Sequence, residues 1–339
     1  MFQAHIKQTL RFVIFVSLCT LISCNGLSRE YVTIEGQALG TFVVIKHDSP
    51  LDSGSTVDMI KKVDKVAKSS MSIFDKNSLL SRVNRGETDS LDSHIVRNIE
   101  LAKRFSELSD GNYDITIKPL TEAWGFAGKQ NTGVTPNVDS LLQFVGYEKI
   151  SIEDGRIVKA DERIQIDLNS IAKGYTVDLM AEELEAMGIE NYMVNIGGEI
   201  RCRGRNSRGG KWSIGVETPY DGNFEEANYE KIISRTDCAM ATSGNYRRYY
   251  ITEDGQKVAH TISPKTGYSA VSTLLSATVI ATTCAEADAA ATMFMALGSE
   301  GAVEVAKYCE EEYDWLYYFI FADGEGYRVE CSQELNSVL

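Results

Sequence analysis

Asp288 and Thr292 stand four residues apart in the run Ala287-Asp288-Ala289-Ala290-Ala291-Thr292, and on a helix that spacing puts two side chains on one face. A carboxylate and a hydroxyl are hard oxygen donors. Mg²⁺ or Ca²⁺ takes such oxygens and completes its shell with backbone carbonyls, waters and the phosphate oxygens of a substrate. An Asp on a solvated face with a back-bonded Thr fits the same pair, but the flanking Ala and Met residues imply a buried helix. A buried aspartate needs a partner.

The twelve residues Asp167 to Asp178, DLNSIAKGYTVD, crowd a carboxylate, small polar residues, a lysine and a glycine into one expected strand-to-helix turn. Such a turn exposes backbone groups and can hold a phosphate; Asp-Leu-Asn-Ser also fits a plain helix N-cap. His260 opens the run His260-Thr261-Ile262-Ser263-Pro264-Lys265-Thr266-Gly267 after an expected strand end. A histidine there can act as a general base or hold the turn. Paired glycines in Asn195-Ile196-Gly197-Gly198-Glu199 allow close backbone approach, and Ala241-Thr242-Ser243-Gly244-Asn245-Tyr246 offers hydroxyls and amides. Phe74 and Trp124-Gly125-Phe126 supply aromatic faces for a planar ring.

The elements that must position these groups can be read from periodicity. Tyr31 to Lys46 reads as a strand and Asp48 to Thr56 as a loop; Val57 to Ser70 reads as a helix, with Val57, Ile60, Val63 and Ala67 on its buried face. A helix is expected over Ser93 to Leu108, stopped by Asp110-Gly111-Asn112, and a short strand over Tyr113 to Ile117. A helix over Val138 to Val145, a hairpin about Glu153-Asp154-Gly155 and a strand-like run at Arg163 to Ile166 follow. Strands at Tyr192 to Ile196 and Trp212 to Glu217 precede further β-rich segments up to Ala281. Helices at Ala285 to Leu297 and Ser299 to Glu310 and a last hairpin through Ala322-Asp323-Gly324 end the pattern. Helices mixed with hairpin-linked strands imply an α+β fold, with mostly antiparallel sheets and flanking helices in one compact unit. No GxGxxG turn follows a first strand, which leaves a Rossmann fold without support.

The N-terminus speaks to the compartment. Lys7 and Arg11 precede the short apolar core Phe12 to Leu21, and Leu21-Ile22-Ser23-Cys24 closes it. The core is short for a membrane span and reads as a signal peptide over residues 1–23. It is similar to bacterial lipoprotein signals, in which Cys24 becomes the acylated first residue and anchors the chain to a bilayer. Residues 24–34 then form a linker and 35–339 a single domain, facing the periplasm from the cell envelope. Cleavage would take Lys+Arg from 34 to 32 against 48 Asp+Glu, moving the formal charge from −14 to −16, which excludes nucleic acid as a natural partner. Cys202, Cys238, Cys284, Cys309 and Cys331 show neither zinc-site spacing nor the density of a disulfide scaffold, and their odd number leaves at least one thiol free; the expectation is mostly buried free thiols, with room for a single disulfide.

Taken in order, ALGT (Ala38 to Thr41), MSIFDKNSLLSRVN (Met71 to Asn84), YDITIKPL with WGF, DLNSIAKGYTVD, NIGGEI, TSGNY, HTISPKTG and ADAAAT resemble the blocks of the ApbE family of FAD:protein FMN transferases. The resemblance runs from about Glu35 to about Gly298. It implies a Mg²⁺-dependent enzyme that cleaves the pyrophosphate of FAD and transfers FMN to a Thr or Ser hydroxyl of an acceptor protein, releasing AMP. By position it puts the metal on Asp288, Thr292 and an oxygen of Ser170. FAD contacts fall to Leu39, Phe74, Trp124, Gly125, Phe126, Asp167, Lys173, Ser243 and Ile262, and assistance to the attacking hydroxyl falls to His260. The acceptors it implies are membrane electron-transfer subunits. Leu39 stands where the family usually has Met, Leu79 where Glu is common, Asn169-Ser170 in place of a glycine-rich pair, and Ser263 where Asp usually precedes the proline. Hydrolysis of FAD to FMN and AMP, and flavin binding without catalysis, are the alternative readings.

Overall fold

The computed structural model describes residues 30–48, 53–127, 135–217, 229–245, 249–251, 257–270 and 272–336. Cys24 and the signal segment, and Tyr246 of the TSGNY block, lie outside them. The first half of the chain gives β1 (Val32–Ala38), β2 (Thr41–His47), α1 (Ser53–Met71), α2 (Leu79–Asn84), α3 (Ser93–Leu108), α4 (Lys118–Ala123), α5 (Val138–Leu142), β3 (Ile150–Glu153), β4 (Arg156–Lys159) and α6 (Ala172–Ala186). The second half gives β5 (Tyr192–Ile196), β6 (Glu199–Arg203), β7 (Trp212–Glu217), β8 (Tyr229–Arg235), β9 (Cys238–Gly244), β10 (Tyr249–Ile251), β11 (Lys257–Ala259), β12 (Leu274–Ala281), α7 (Cys284–Tyr313), β13 (Leu316–Asp323), β14 (Gly326–Cys331) and α8 (Gln333–Asn336).

One eight-stranded sheet in the order β1-β2-β5-β6-β9-β12-β13-β14 organises these elements, and every pairing in it is antiparallel. Alternation sends Ala241, Ala277, Val279, Phe319 and Phe321 to the face packed by α3 and α7. Their neighbours Ile200, Cys202, Cys238, Met240, Tyr318 and Ile320 go to the other face, where the β7–β8 hairpin and α8 cover them. At the β1 end of the sheet, Ile34, Val43, Ile45 and Val194 pack under α1 and α6 through Met59, Ile60, Val63 and Val177. The mixed architecture agrees with the α+β expectation. No helix among the described residues is long and apolar enough to cross a membrane.

Several local expectations are corrected. Tyr31 to Lys46 is a hairpin, because Leu39 and Gly40 both take positive φ (52° and 78°) and turn the chain in two residues. The Leu39 N–H is tied to Asp64 Oδ1 at 2.7 Å. β1 is in the sheet from Val32, so residues 32–34 belong to the fold and not to a linker. α1 begins at Ser53, four residues before the expected Val57. Neither Tyr113–Ile117 nor Arg163–Ile166 is a strand. Asp114 Oδ1 accepts from both the N–H and the hydroxyl of Thr116 and curls the first segment. Asn84 mimics a strand partner for the second: it donates to the Ile166 carbonyl and accepts the Ile166 N–H. One parallel bridge, Ile117 to Gln165, joins the two segments. The two helices expected after Ala285 are halves of α7, separated by Gly298 at φ 73°.

α6 and α7 cap each other. Asp178 on α6 accepts the Cys284 and Ala285 N–H groups that open α7, at 2.9 and 2.8 Å. Asp288 on α7 accepts the Gly174 N–H in the first turn of α6, at 2.8 Å. Each carboxylate thus satisfies helix-end donors and meets the positive end of the partner helix. Thr283 completes the α7 end as its N-cap: the hydroxyl accepts the Glu286 N–H and donates to the Glu286 carboxylate.

The approach depends on Gly174, since a Cβ there would lie 2.2 Å from the Cys284 carbonyl oxygen and 2.7 Å from the Asp288 Cβ. Gly174→Ala should therefore destabilise the protein by about 1–3 kcal/mol in urea unfolding, although alanine is intrinsically the better helix former. Equal or greater stability would show that the helices are not this close.

Candidate active site

A cleft of about 500 Å³ opens where the α6 and α7 N-terminal turns, the end of β9 and the segment after β11 converge. Its wall includes Phe126, Asp167, Ser170, Lys173, Ser243, His260, Ile262, Asp288 and Thr292, nine positions singled out from the sequence and scattered over about half the chain. Leu39, Phe74, Trp124 and Gly125 fall outside that wall.

Lys173 and Asp288 meet at the base of the cleft with a second carboxylate. Lys173 Nζ lies 2.7 Å from Glu199 Oε1, and Glu199 is almost wholly buried at the start of β6. Burial, then the charge of Glu199, push the Asp288 carboxyl up to about 7, against the opposing pull of Lys173 and the Gly174 N–H. Burial would lower the Lys173 ammonium, yet Glu199 and then Asp288 outweigh it, and the net direction is upward. Among the described residues at this point, two carboxylates face one ammonium, an excess of negative charge whenever both are ionised. A hard cation would compensate that charge.

The hydroxyl donors are placed by separate elements. Thr292, one turn beyond Asp288 on α7, shares a hydrogen bond with Ser243 on β9 at 3.1 Å. Ser170, just before α6, shares one with Tyr113 at 2.8 Å. Burial raises the Tyr113 hydroxyl well above the ordinary phenol value, so it stays protonated beside this acidic cluster. Among the described residues no group of three or more His, Cys, Asp or Glu side chains forms a ready-made metal cage. Asp288, Thr292 and Ser170 therefore suit a cation that shares its shell with phosphate oxygens and water.

The Asp-Leu-Asn-Ser turn does not cap its own helix. Ile171 occupies the N-cap of α6 and makes no side-chain cap bond; the remote Asp288 supplies the acceptor. Asp167 lines the cleft, with Oδ1 on the Asn169 N–H and Oδ2 3.4 Å from the Thr121 hydroxyl.

His260 directly follows β11, as the sequence implied for a strand end. Its loop is closed by the Ile262–Ser269 bridge and by a Thr261 hydroxyl bond to Asn245 at 2.6 Å. Phe126 sits edge-on to the imidazole, with ring centroids 6.3 Å apart.

Trp124 is not an open stacking face. It is buried with Leu120, Val138, Val145, Val258 and Ile262, and its indole N–H is given to the Gly267 carbonyl at 2.7 Å. It props the His260 loop from behind, and Phe126 is the aromatic of that block that reaches the cleft. Phe74 is 61% exposed in the turn after α1.

Glu199 and Tyr113 are the site residues that sequence reasoning missed. Glu199 was visible only as the acid closing a glycine pair, and Tyr113 only as one residue of an expected strand.

A model of the ApbE family matches residues 39–316. The chain is 32% identical to an FAD:protein FMN transferase of Haemophilus influenzae, over 96% of each chain. It is 34% identical to one of Vibrio cholerae, over 86% of this chain and 90% of that one. Among solved structures, the flavin transferase ApbE from Vibrio cholerae superposes with a TM-score of 0.81 at 32% identity, covering 91% of this chain and 99% of that one. The apo form of the Pseudomonas stutzeri flavinyl transferase ApbE superposes with a TM-score of 0.80 at 25% identity, covering 91% and 96%.

The Asp288 environment yields a pH test in the presence of chelator. Burial and the charge of Glu199 push the Asp288 carboxyl up to about 7 in the fold, against the ordinary value of about 4 in the unfolded chain. Between those values the native state holds the extra proton, so this group's contribution to stability falls as pH rises. Asp288→Asn keeps an oxygen for the Gly174 N–H and removes the titration. Its stability relative to the parent should therefore increase from about pH 5 to about pH 8; parallel pH curves for the two proteins would contradict the assignment.

Proposed function

The chain belongs to the ApbE family, and we infer from that membership and from the cleft that it acts as an FAD:protein FMN transferase. The observation that carries the reading is the convergence of Ser170, Lys173, His260, Asp288 and Thr292, from three separate segments, on one cleft. FAD is the substrate and a Thr or Ser hydroxyl of an acceptor protein is the second reactant. The hydroxyl oxygen attacks the phosphorus on the FMN side of the pyrophosphate, the bond to the AMP phosphate breaks, and AMP leaves.

Each residue has a role in that displacement. Lys173, held by Glu199, places a positive charge where the pyrophosphate accumulates negative charge. His260 takes the proton of the attacking hydroxyl. Phe126 and Ile262 give apolar cover, and Asp167 accepts a hydrogen bond from a ribose, adenine or flavin donor. Ser243 steadies Thr292 through the bond they share.

We assign Mg²⁺ as the cation, held by Asp288, the Thr292 hydroxyl and an oxygen of Ser170. The donor set fits it: all three donors are hard oxygens, and Asp288 and Glu199 share the single ammonium of Lys173. Bound there, Mg²⁺ supplies Lewis-acid neutralisation of phosphate oxygens. Asp288 would ligate through the oxygen not given to Gly174.

The cellular setting is part of the same proposal. The lipoprotein-like signal and Cys24 anchor the domain at the envelope facing the periplasm, where its acceptors are membrane electron-transfer subunits. Cys24→Ser should release the protein from the membrane fraction to the soluble one, and retention on the membrane would contradict the acyl anchor.

The activity test combines the protein, FAD, Mg²⁺ and an acceptor carrying an exposed Thr or Ser beside small residues. AMP should appear together with in-gel flavin fluorescence on the acceptor. AMP with free FMN would mark hydrolysis, and absence of both products would refute the enzymatic reading. Asp288→Ala or removal of Mg²⁺ should abolish turnover. His260→Ala should slow transfer by roughly 10²-fold or more with little change in FAD binding; equal loss of both would make the histidine structural.

A further inference from the structure

The antiparallel register of β6 and β9 sets Ile200 opposite Met240, Arg201 opposite Ala239 and Cys202 opposite Cys238. Both cysteines point to the sheet face covered by the β7–β8 hairpin, and their sulfurs are 3.9 Å apart. Both are buried, Cys238 at 7% exposure and Cys202 at 1%.

We propose that Cys202 and Cys238 form a cross-strand disulfide when the chain folds in an oxidising compartment. Directly opposed residues hold their Cβ atoms about 4.5–5.5 Å apart, close to the roughly 3.5–4.5 Å of a disulfide. The sulfurs need to close by only about 2 Å, a movement that side-chain rotation and slight strand adjustment supply.

The oxidant is a disulfide of the thiol-oxidoreductase or glutathione class, met before the hairpin buries the pair. One thiolate attacks that disulfide, forming a mixed disulfide and expelling the first oxidant thiol. The other thiolate then attacks the bound cysteine sulfur and expels the second. Two S–H bonds are lost and one S–S bond forms in the protein, while the oxidant's S–S bond breaks and takes up the two electrons and two protons as two thiols.

The bond would close a loop whose ends are 36 positions apart and which contains the whole β7–β8 hairpin. It would also clamp β6 and β9 at the ends opposite those that deliver Glu199 and Ser243 to the cleft. The oxidising setting rests on the envelope assignment, but the chemistry is tested without it.

The full chain, unfolded and reduced, is refolded in a glutathione redox mixture, quenched with alkylating agent, digested without reductant and mapped by mass spectrometry. A peptide pair joined through Cys202 and Cys238 is expected, absent after reduction, with Cys284, Cys309 and Cys331 recovered alkylated. The oxidised form should melt about 5 °C above the reduced form, and a Cys202→Ser/Cys238→Ser variant should lose that redox-dependent difference. Recovery of Cys202 and Cys238 as separate alkylated peptides, or a cross-link to another cysteine in their place, would overturn the proposal.

Discussion

The reciprocal capping of α6 and α7 is the interaction on which the site depends. Asp178 and Asp288 are buried carboxylates, and each is held by the N-terminal donors of the other's helix. Hydrogen bonds to a charged group contribute about 1.5–3 kcal/mol, and a buried carboxylate deprived of them would be strongly destabilising. Gly174 makes the exchange possible by letting the helices meet without a Cβ between them. The same contact sets Ser170 and Lys173, at the start of α6, beside Asp288 and Thr292 on α7. The carboxylate that caps α6 is thus also the one to which the proposed function assigns the cation.

The electrostatics of the cleft follow from that placement. The chain carries a formal charge of −14, so its exterior repels a dinucleotide at long range and attraction must be local. Among the described residues of the cleft wall Lys173 is the cation, and Glu199 fixes its position while limiting its net charge. With Asp288 ionised the base of the cleft is negative, a poor surface for pyrophosphate until a divalent cation joins it. Cation and dinucleotide binding should therefore support each other.

Elements with strong periodicity were legible in the sequence, because local pattern and tertiary burial agree there. The helix over Ser93 to Leu108 and the strands at Tyr192 to Ile196 and Trp212 to Glu217 match to the residue. The Leu39–Gly40 turn was hidden because leucine seldom takes positive φ. The segments around Ile115 and Ile166 alternate like strands, but Asp114 and Asn84 satisfy their backbones with side chains. The spacing of Asp288 and Thr292 was visible on one helix, whereas Glu199 and Tyr113 acquire meaning only through Lys173 and Ser170, partners that the fold brings from distant sequence. Trp124 was named for its chemistry, and only packing reveals that its ring supports the His260 loop from behind.

Location of the cation and substrate in a crystal grown with FAD and Mn²⁺, followed by anomalous scattering, tests the central claim most directly. The account predicts an anomalous peak between the Asp288 carboxylate and the Thr292 hydroxyl, with the pyrophosphate of FAD against it and against Lys173. A peak elsewhere, or FAD bound outside the cleft that holds His260, would contradict it.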